Sequence, residues 1–282
     1  MTPAGHRSAG RAVILGAASA ALFLGGGVGS GQAQEARPEP GTTVEWDLGS
    51  VRSGWCLHFL MPPAASGADL PKGVTPDQAA SRNGLHPAVA ALVQSEAQYG
   101  EWTPADLCTI VADRLAVGDR VFERGDGGEP LIVVWWAVAG VGSKGQVTAA
   151  RYFGTNSTGL KQQMKASLLD VERVKAKLEA LPDAGEPRLH LELEGANLYF
   201  DGHITPDSVP THRDHRWAWV APGPRNVNWE AEATASPEAS GGVAGALRIQ
   251  GKRRLAAILS DSPIRIFGPG FTGGSFTVRL RR

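Results

Sequence analysis

Short runs of apolar and β-favouring residues, separated by glycine and proline, dominate this chain. Residues 55–61 form one run that ends at a proline pair, and residues 131–139 (LIVVWWAVA) form another between glycines. The second run is apolar throughout, which is typical of a strand covered on both faces. Leu189, Leu191 and Leu193 alternate with polar residues, as in a half-exposed strand. Further strands are predicted at residues 147–153, 198–200, 216–220, 246–249, 264–267 and 276–280.

Helical spacing is rarer. Apolar residues within 85–93 fall on one helix face, and those within 160–181 step by threes and fours, which favours a long helix although an extended strand also fits. A short helix is predicted at 252–259. Because parallel sheets need a helical crossover between most strands, we expect an α+β, β-rich fold. Its sheet would be mostly antiparallel, sandwich-like or open barrel-like, with two or three helices.

The first 33 residues have the composition of a cleavable secretory signal. Arg7 and Arg11 precede an apolar stretch at 12–24, and small residues follow at 25–33. The apolar stretch is shorter than the roughly 20 residues that cross a bilayer, so a permanent anchor is the less favoured alternative. The sequence therefore predicts a soluble protein exported to the periplasm or the medium, with no transmembrane segment in the mature chain.

Cys56 and Cys108 are the only cysteines. An even pair in an oxidising compartment is more often a disulfide than a reactive thiol, and a loop of this length is worth about 4 kcal/mol. The rival is a nucleophilic Cys56 activated by His58. The two side chains would share a strand face, but no third group to orient the base is visible. We therefore predict a Cys56–Cys108 disulfide.

Domain organisation is less clear from the sequence. Residues 181–187 (LPDAGEP) predict a hinge, which would separate a β-rich region with helices at 34–180 from a second β-rich region at 186–282. A single domain with long insertions is the alternative. No internal repeat is visible at any fixed period.

Charge is unevenly distributed along the mature chain. Residues 247–282 hold eight basic residues against Asp261 alone, whereas the mature chain as a whole has 26 basic and 28 acidic residues. The basic segment would either dock on an anionic surface or partner or, as we favour, complement the acidic remainder of the same fold. Nucleic acid is not expected as a partner outside the cell, and the sequence identifies no other.

Five potential ligands or acid–base groups lie within thirteen residues of turn-rich sequence. Imidazoles and carboxylates bind divalent transition metals such as Zn²⁺ and serve as hydrolytic bases. The spacing is unspecific, since two of the histidines are three apart in a predicted loop rather than four apart on a helix. Solvated loop residues are the alternative interpretation. The cluster consists of His203, Asp207, His212, Asp214 and His215, and the metal ligands would be His203, His212, Asp214 and His215.

Other motifs carry less weight. Residues 140–145 and 268–273 match the glycine spacing of a dinucleotide site, but the first precedes a predicted strand and the second nearly ends the chain, so no cofactor is expected. No Gly-x-Ser-x-Gly nucleophile turn occurs in the mature chain. Trp217 and Trp219 share a strand face and would form either a ligand platform or core.

These patterns favour an exported, non-catalytic envelope or secreted protein with a binding or structural role, and no catalytic residue is assigned. The alternative is a secreted metal-assisted hydrolase that uses the cluster at residues 203–215. Metal analysis would separate the two hypotheses.

Overall fold

The computed structural model describes residues 44–67, 70–166, 171–180, 187–193, 196–206, 215–222, 228–251, 254–268 and 270–281. Within these ranges the fold is α+β and strand-rich, which confirms the predicted class. The helices are α1 (Pro63–Ser66), α2 (Pro87–Ser95), α3 (Thr158–Ala166) and α4 (Arg254–Asp261), with 3₁₀ turns at Ala79–Ser81 and Ala97–Glu101. The strands are β1 (Val44–Met61), β2 (Thr75–Pro76), β3 (Thr103–Val117), β4 (Arg120–Phe122), β5 (Leu131–Gly142), β6 (Gly145–Thr155), β7 (Glu172–Arg173), β8 (Lys175–Ala180), β9 (Pro187–Leu193), β10 (Ala196–Pro206), β11 (His215–Pro222), β12 (Asn228–Ser236), β13 (Ala239–Gln250), β14 (Arg265–Phe267), β15 (Gly270–Thr272) and β16 (Ser275–Arg281).

Seven of the strands close into a barrel. The order β3-β5-β6-β11-β12-β16-β1 returns to its start because β1 also pairs with β3. Six of the seven pairings are antiparallel, and β6 with β11 is parallel. An odd number of strands cannot close with strictly alternating directions, so one parallel pair is required. The barrel is therefore closed, whereas the sequence left a sandwich or an open barrel as alternatives.

β1 is long enough to belong to two sheets. Its first part pairs with β16 as far as Leu48, and its second part pairs with β15 at Gly54 and with β14 from Leu57. The change of partner follows a bend, marked by a positive φ of 54° at Ser50 and a register shift after Val51. From β15 the strand order continues through β13, β10, β9 and β8, which form the second sheet. Strands on both sides of the predicted hinge at 181–187 thus share one sheet.

Two large apolar clusters lie on either side of the barrel wall. Trp135 belongs to the cluster inside the barrel, and its neighbour Trp136 belongs to the cluster between the barrel and the second sheet, where α4 also packs. Alternation along β5 therefore fills both cores, as expected for a strand covered on both faces. Inside the barrel Phe271 covers Gly54 so closely that a Cβ on this glycine would overlap the ring.

The helix predictions are correct in two of three places. α2 and α4 lie at the predicted positions, but the helix predicted for residues 160–181 is wrong from residue 172 on, because β7 and β8 lie there. Val171 lies in the barrel core and Val174 in the outer core. A single helix face could not supply side chains to both, so the tertiary environment overrides the helical spacing here. No helix in the described ranges combines the length and apolarity needed to cross a bilayer.

The expected disulfide is present. Cys56 on β1 and Cys108 on β3 are directly opposite one another in the antiparallel pair, and their Cα atoms are 4.0 Å apart. The bond therefore joins two neighbouring strands of the barrel wall that are already paired from Met61 to Trp46. It lies on the inward face, against the barrel core.

Candidate functional site

A charged pair follows the disulfide along the same two strands. His58 and Asp106 are opposite residues of β1 and β3, and each is two residues from a half-cystine. Because side chains recur on one strand face every two residues, the pair faces the same side as the disulfide. The His58 Nδ1 and Asp106 Oδ1 atoms are 2.5 Å apart. The pair thus stands beyond the barrel core, where β1 has already left β16.

The two members of this pair differ in exposure. The His58 side chain is 15 % exposed and that of Asp106 is 39 % exposed. Gly268 lies against the imidazole, and a Cβ at this glycine would overlap Nε2. The Gly268 N–H donates to the carbonyl of Cys56 at 2.9 Å, which holds the covering segment in place. Asp106 is therefore the member of the pair that solvent and a small molecule reach more readily.

A second histidine stacks on the first. The rings of His86 and His58 have centroids 5.6 Å apart and planes inclined by 27°. His86 is the N-cap of α2, where its Nδ1 accepts a hydrogen bond from the Ala88 N–H at 3.2 Å. Since one ring nitrogen of a neutral imidazole is an acceptor and the other a donor, neutral His86 carries its proton on Nε2.

The pKa values of the two histidines are shifted in opposite directions. Burial of the His58 ring acts to lower its pKa, but the charge of Asp106 and its hydrogen bond outweigh burial, and the pKa of His58 is raised. Burial, followed by the charge of His58, lowers the pKa of His86. Adjacent groups whose pKa values are pushed apart are characteristic of sites that separate the roles of proton donor and acceptor.

The surroundings of the pair are small and apolar. Ala137 on β5 is opposite Asp106, and Ala150 on β6 is opposite Ala137; both alanines are buried. Further into the barrel core lie the disulfide and the stacked rings of Trp135 and Phe276, whose centroids are 5.8 Å apart. The charged groups therefore adjoin a region of low dielectric, where their interaction is stronger than in water.

Lysine does not provide a comparable buried group in the described part of the chain. A lysine needs a desolvated or cation-flanked position to be nucleophilic at neutral pH. Every lysine whose side chain is described is at least partly exposed; these are Lys72, Lys144, Lys161, Lys165 and Lys175.

The predicted metal ligands are only partly described. His203 lies in β10 opposite Ala244, and His215 begins β11 opposite Ala235. These two strands are not neighbours in the sheet. Asp207, His212 and Asp214 lie outside the described residues, as do the side chains of Trp217 and Trp219. Among the residues that the structure describes, no group of three or more His, Cys, Asp or Glu side chains could hold a metal ion.

Sequence reasoning missed this site. It considered His58 only as a partner for Cys56, and it named neither Asp106 nor His86. The disulfide contained the missing signal, because antiparallel strands joined at Cys56 and Cys108 place residue 58 opposite residue 106. No comparable pattern in the sequence marks His86, which comes from a separate helix.

Comparisons with known proteins give a fold-level result only. No family model matches the chain, and no curated protein matches it. Among solved structures, an acetoacetate decarboxylase from Legionella pneumophila is 9% identical over 95% of both chains, with a TM-score of 0.44. An acetoacetate decarboxylase-like enzyme from Sphingomonas wittichii is 11% identical over 86% of this chain and 93% of that one, with a TM-score of 0.43. An enduracididine biosynthesis enzyme with bound HEPES is 12% identical over 89% of both chains, with a TM-score of 0.42.

These neighbours correct the functional hypotheses drawn from the sequence. All three are enzymes, which contradicts the predicted non-catalytic binding or structural protein. The metal-assisted hydrolase is not supported either, because the described residues hold no group that could bind a metal ion. The predicted signal peptide and secretion receive no support from them. Residues 1–33 lie outside the described residues, so the place where the protein acts stays a prediction.

Proposed function

We propose that the protein is an enzyme that catalyses proton transfer, with His58 and Asp106 as its acid–base pair and His86 as the adjacent hydrogen-bond donor. The observation that carries the proposal is the 2.5 Å contact between His58 Nδ1 and Asp106 Oδ1 at the end of the apolar barrel core. A carboxylate paired with a histidine is an arrangement suited to general acid–base catalysis near neutral pH.

The geometry favours proton abstraction from carbon next to a carbonyl group. The exposed oxygen of Asp106 would accept the proton, and the electron pair left on carbon would move onto the carbonyl oxygen. Nε2–H of neutral His86 would donate a hydrogen bond to that oxygen. A neutral histidine at a helix N-terminus is suited to this role, because its proton donor is retained while its positive charge is disfavoured. His58 would keep Asp106 oriented and exchange the proton with it.

Proton exchange gives a direct test that does not require the natural substrate to be known. The protein would be incubated in D₂O with pyruvate and with acetone, an anionic and a neutral ketone, and loss of the methyl signal followed by ¹H NMR. We expect exchange above the buffer rate with at least one ketone, and a loss of about 10²-fold or more in H58N and D106N.

The chain offers a matched control. His190 is also a partly buried histidine that stacks on an aromatic ring, with its centroid 4.3 Å from that of Tyr199, but it lies on β9 in the second sheet. H190N should exchange at the wild-type rate. Equal exchange in H58N and wild type, or no exchange by the folded wild type with either ketone, would contradict the proposal.

A further inference from the structure

His86 belongs to a long segment that leaves the barrel wall and returns to it. Residues 62–102 connect β1 with β3, and we call them the insertion. β2, within the insertion, pairs with the end of β5, and the Asp77 N–H donates to the Ala139 carbonyl at 3.1 Å. Ala139 lies on β5 two residues beyond the residue opposite Asp106. The insertion is therefore attached to the barrel wall close to the proposed site.

An ion pair makes a second attachment. The Asp77 side chain is 3% exposed, and its Oδ2 lies 3.2 Å from Nη1 of Arg82, whose side chain is 20% exposed. The same Nη1 donates to the Val147 carbonyl at 3.2 Å, and Nη2 donates to Thr148 Oγ1 at 3.4 Å. Both acceptors lie on β6, so Arg82 joins the insertion to the strand next to β5. These bonds have fixed directions, because the donors of a guanidinium lie in one plane.

A turn separates Arg82 from His86. Gly84 has a φ of 72°, in the left-handed region, and Leu85 then packs in the apolar cluster that contains Leu60 of β1. His86 follows directly and is the N-cap of α2. Apolar packing holds α2 against β1 but is non-directional, whereas the hydrogen bonds of Arg82 fix where the chain enters the turn.

We propose that Arg82, oriented by Asp77, is a positioning residue that places His86 against the His58–Asp106 pair. Three residues lie between Arg82 and His86, so a displacement of Arg82 shifts the start of α2. The inference deepens the proposed function: its relevance to catalysis rests on that function, whereas the placement of His86 does not. Arg82 is assigned no step of the proton transfer.

The protonation of His86 reports its position. Burial, followed by the charge of His58, lowers the pKa of His86. Both effects weaken when the ring moves away from His58 toward solvent, so the pKa of a displaced His86 rises toward the ordinary histidine value. The contact of His58 with Asp106 joins β1 to β3 and does not involve the insertion. His58 should therefore keep its raised pKa, which separates a displaced His86 from a general loosening of the site.

The experiment is a histidine-ring NMR titration of the full chain as wild type, R82Q, D77N/R82Q and K144Q. The double variant removes the buried charge that R82Q alone would leave without its cation. K144Q is the matched control. Lys144 lies in the β5–β6 hairpin that Arg82 contacts, but its Nζ is 2.7 Å from Glu230 Oε1 of β12, outside the insertion.

In both Arg82 variants we expect the protonated fraction of His86 near pH 6.5 to rise about twofold or more, with the titration of His58 unchanged. K144Q should titrate as wild type does. In the ketone exchange assay both Arg82 variants should lose about tenfold in rate, because a displaced His86 no longer donates to the carbonyl oxygen. K144Q should exchange at the wild-type rate.

A wild-type titration of His86 in folded R82Q and folded D77N/R82Q would overturn the inference, and so would an equal change in K144Q. If R82Q alone unfolds, the double variant decides. Unfolding of both would also overturn it, because Arg82 would then hold the fold rather than one side chain. The titration needs no substrate, so its failure is distinguishable from that of the proposed function. An unchanged exchange rate with a displaced His86 would support the placement and contradict the donor role of His86.

Discussion

The interior of the barrel and its polar end are built by the same two strands but behave differently. Along β1 and β3 the inward positions are first apolar and fully buried, as with Trp46 and Leu115. Beyond the disulfide they become His58 and Asp106, which are partly exposed. The change occurs where β1 has exchanged β16 for β14 and β15. Packing and charge are thus separated along the inward face of this strand pair, and the charged side chains of His58 and Asp106 lie where solvent reaches them.

The largest effect on stability should come from removing a large side chain from the barrel interior. Trp46 is 1% exposed and meets Phe153 edge-to-face, with centroids 6.1 Å apart. W46A should lower the free energy of unfolding by about 3 to 5 kcal/mol, because the cavity adds to the lost burial. Urea denaturation measures this. The control V121A changes a side chain that is 48% exposed and should stay within about 0.5 kcal/mol of wild type. A loss below that of the control would contradict a single packed barrel core.

A smaller effect should follow from disturbing the boundary between the two regions. A Cβ at Gly54 would overlap the ring of Phe271, which covers the barrel core at this position. G54A should cost about 1 to 3 kcal/mol through overpacking. At Gly142 an added Cβ would meet Val147 at 3.7 Å, an ordinary contact. G142A is therefore the matched control, and equal stability of the two variants would show that Phe271 does not occupy this position.

The His58–Asp106 pair at the polar end of the barrel should make the free energy of unfolding depend on pH, whereas the apolar interior should not. The pKa of His58 is raised in the folded protein, so its stabilising contribution is complete below the unfolded value of about 6.5 and is lost as pH rises through the folded value. D106N should remove this dependence and cost about 1 kcal/mol at low pH, since Asp106 is partly exposed. Unfolding of wild type and D106N between about pH 6 and pH 9 measures the difference. If the free energies of unfolding of wild type and D106N change with pH in the same way, the pairing of His58 with Asp106 is contradicted.

The smallest effect should come from the outer surface. Arg279 on β16 lies between Glu45 on β1 and Glu232 on β12 in register, and its Nε donates to Glu45 at 2.9 Å. Part of the basic C-terminal segment therefore complements acidic residues of the same fold. Because both partners are about half exposed, R279Q should cost no more than about 0.5 kcal/mol, and less at high salt. A loss above about 1.5 kcal/mol would contradict this weak coupling. Docking of the segment on an anionic partner stays a prediction.

Local pattern predicted much of the fold because alternation and helical spacing are properties of neighbouring residues. The strand at residues 131–139 and helix α2 follow directly from such patterns. Closure of the barrel does not, since it depends on β1 pairing with β3 and β16, which are distant in sequence. The helix predicted over residues 160–181 failed from residue 172 on for the same reason: Val171 packs in the barrel core and Val174 in the outer core.

The site was partly predictable. The cysteine pair fixes the register of β1 and β3, and this register alone brings His58 to Asp106 across 48 residues of sequence. The cluster at residues 203–215 was predicted because its members are close in sequence, and its role stays a prediction because Asp207, His212 and Asp214 lie outside the described residues.

The central claim is that His58 and Asp106 form an acid–base pair with His86 beside it, and a histidine-ring NMR titration of the oxidised wild-type protein tests it most directly. The account predicts that His58 titrates above the ordinary histidine pKa and His86 below it, because burial and the charge of His58 act on His86. In D106N the pKa of His58 should fall, and in H58N that of His86 should rise. Ordinary titration of both rings, unaffected by either substitution, would contradict the account.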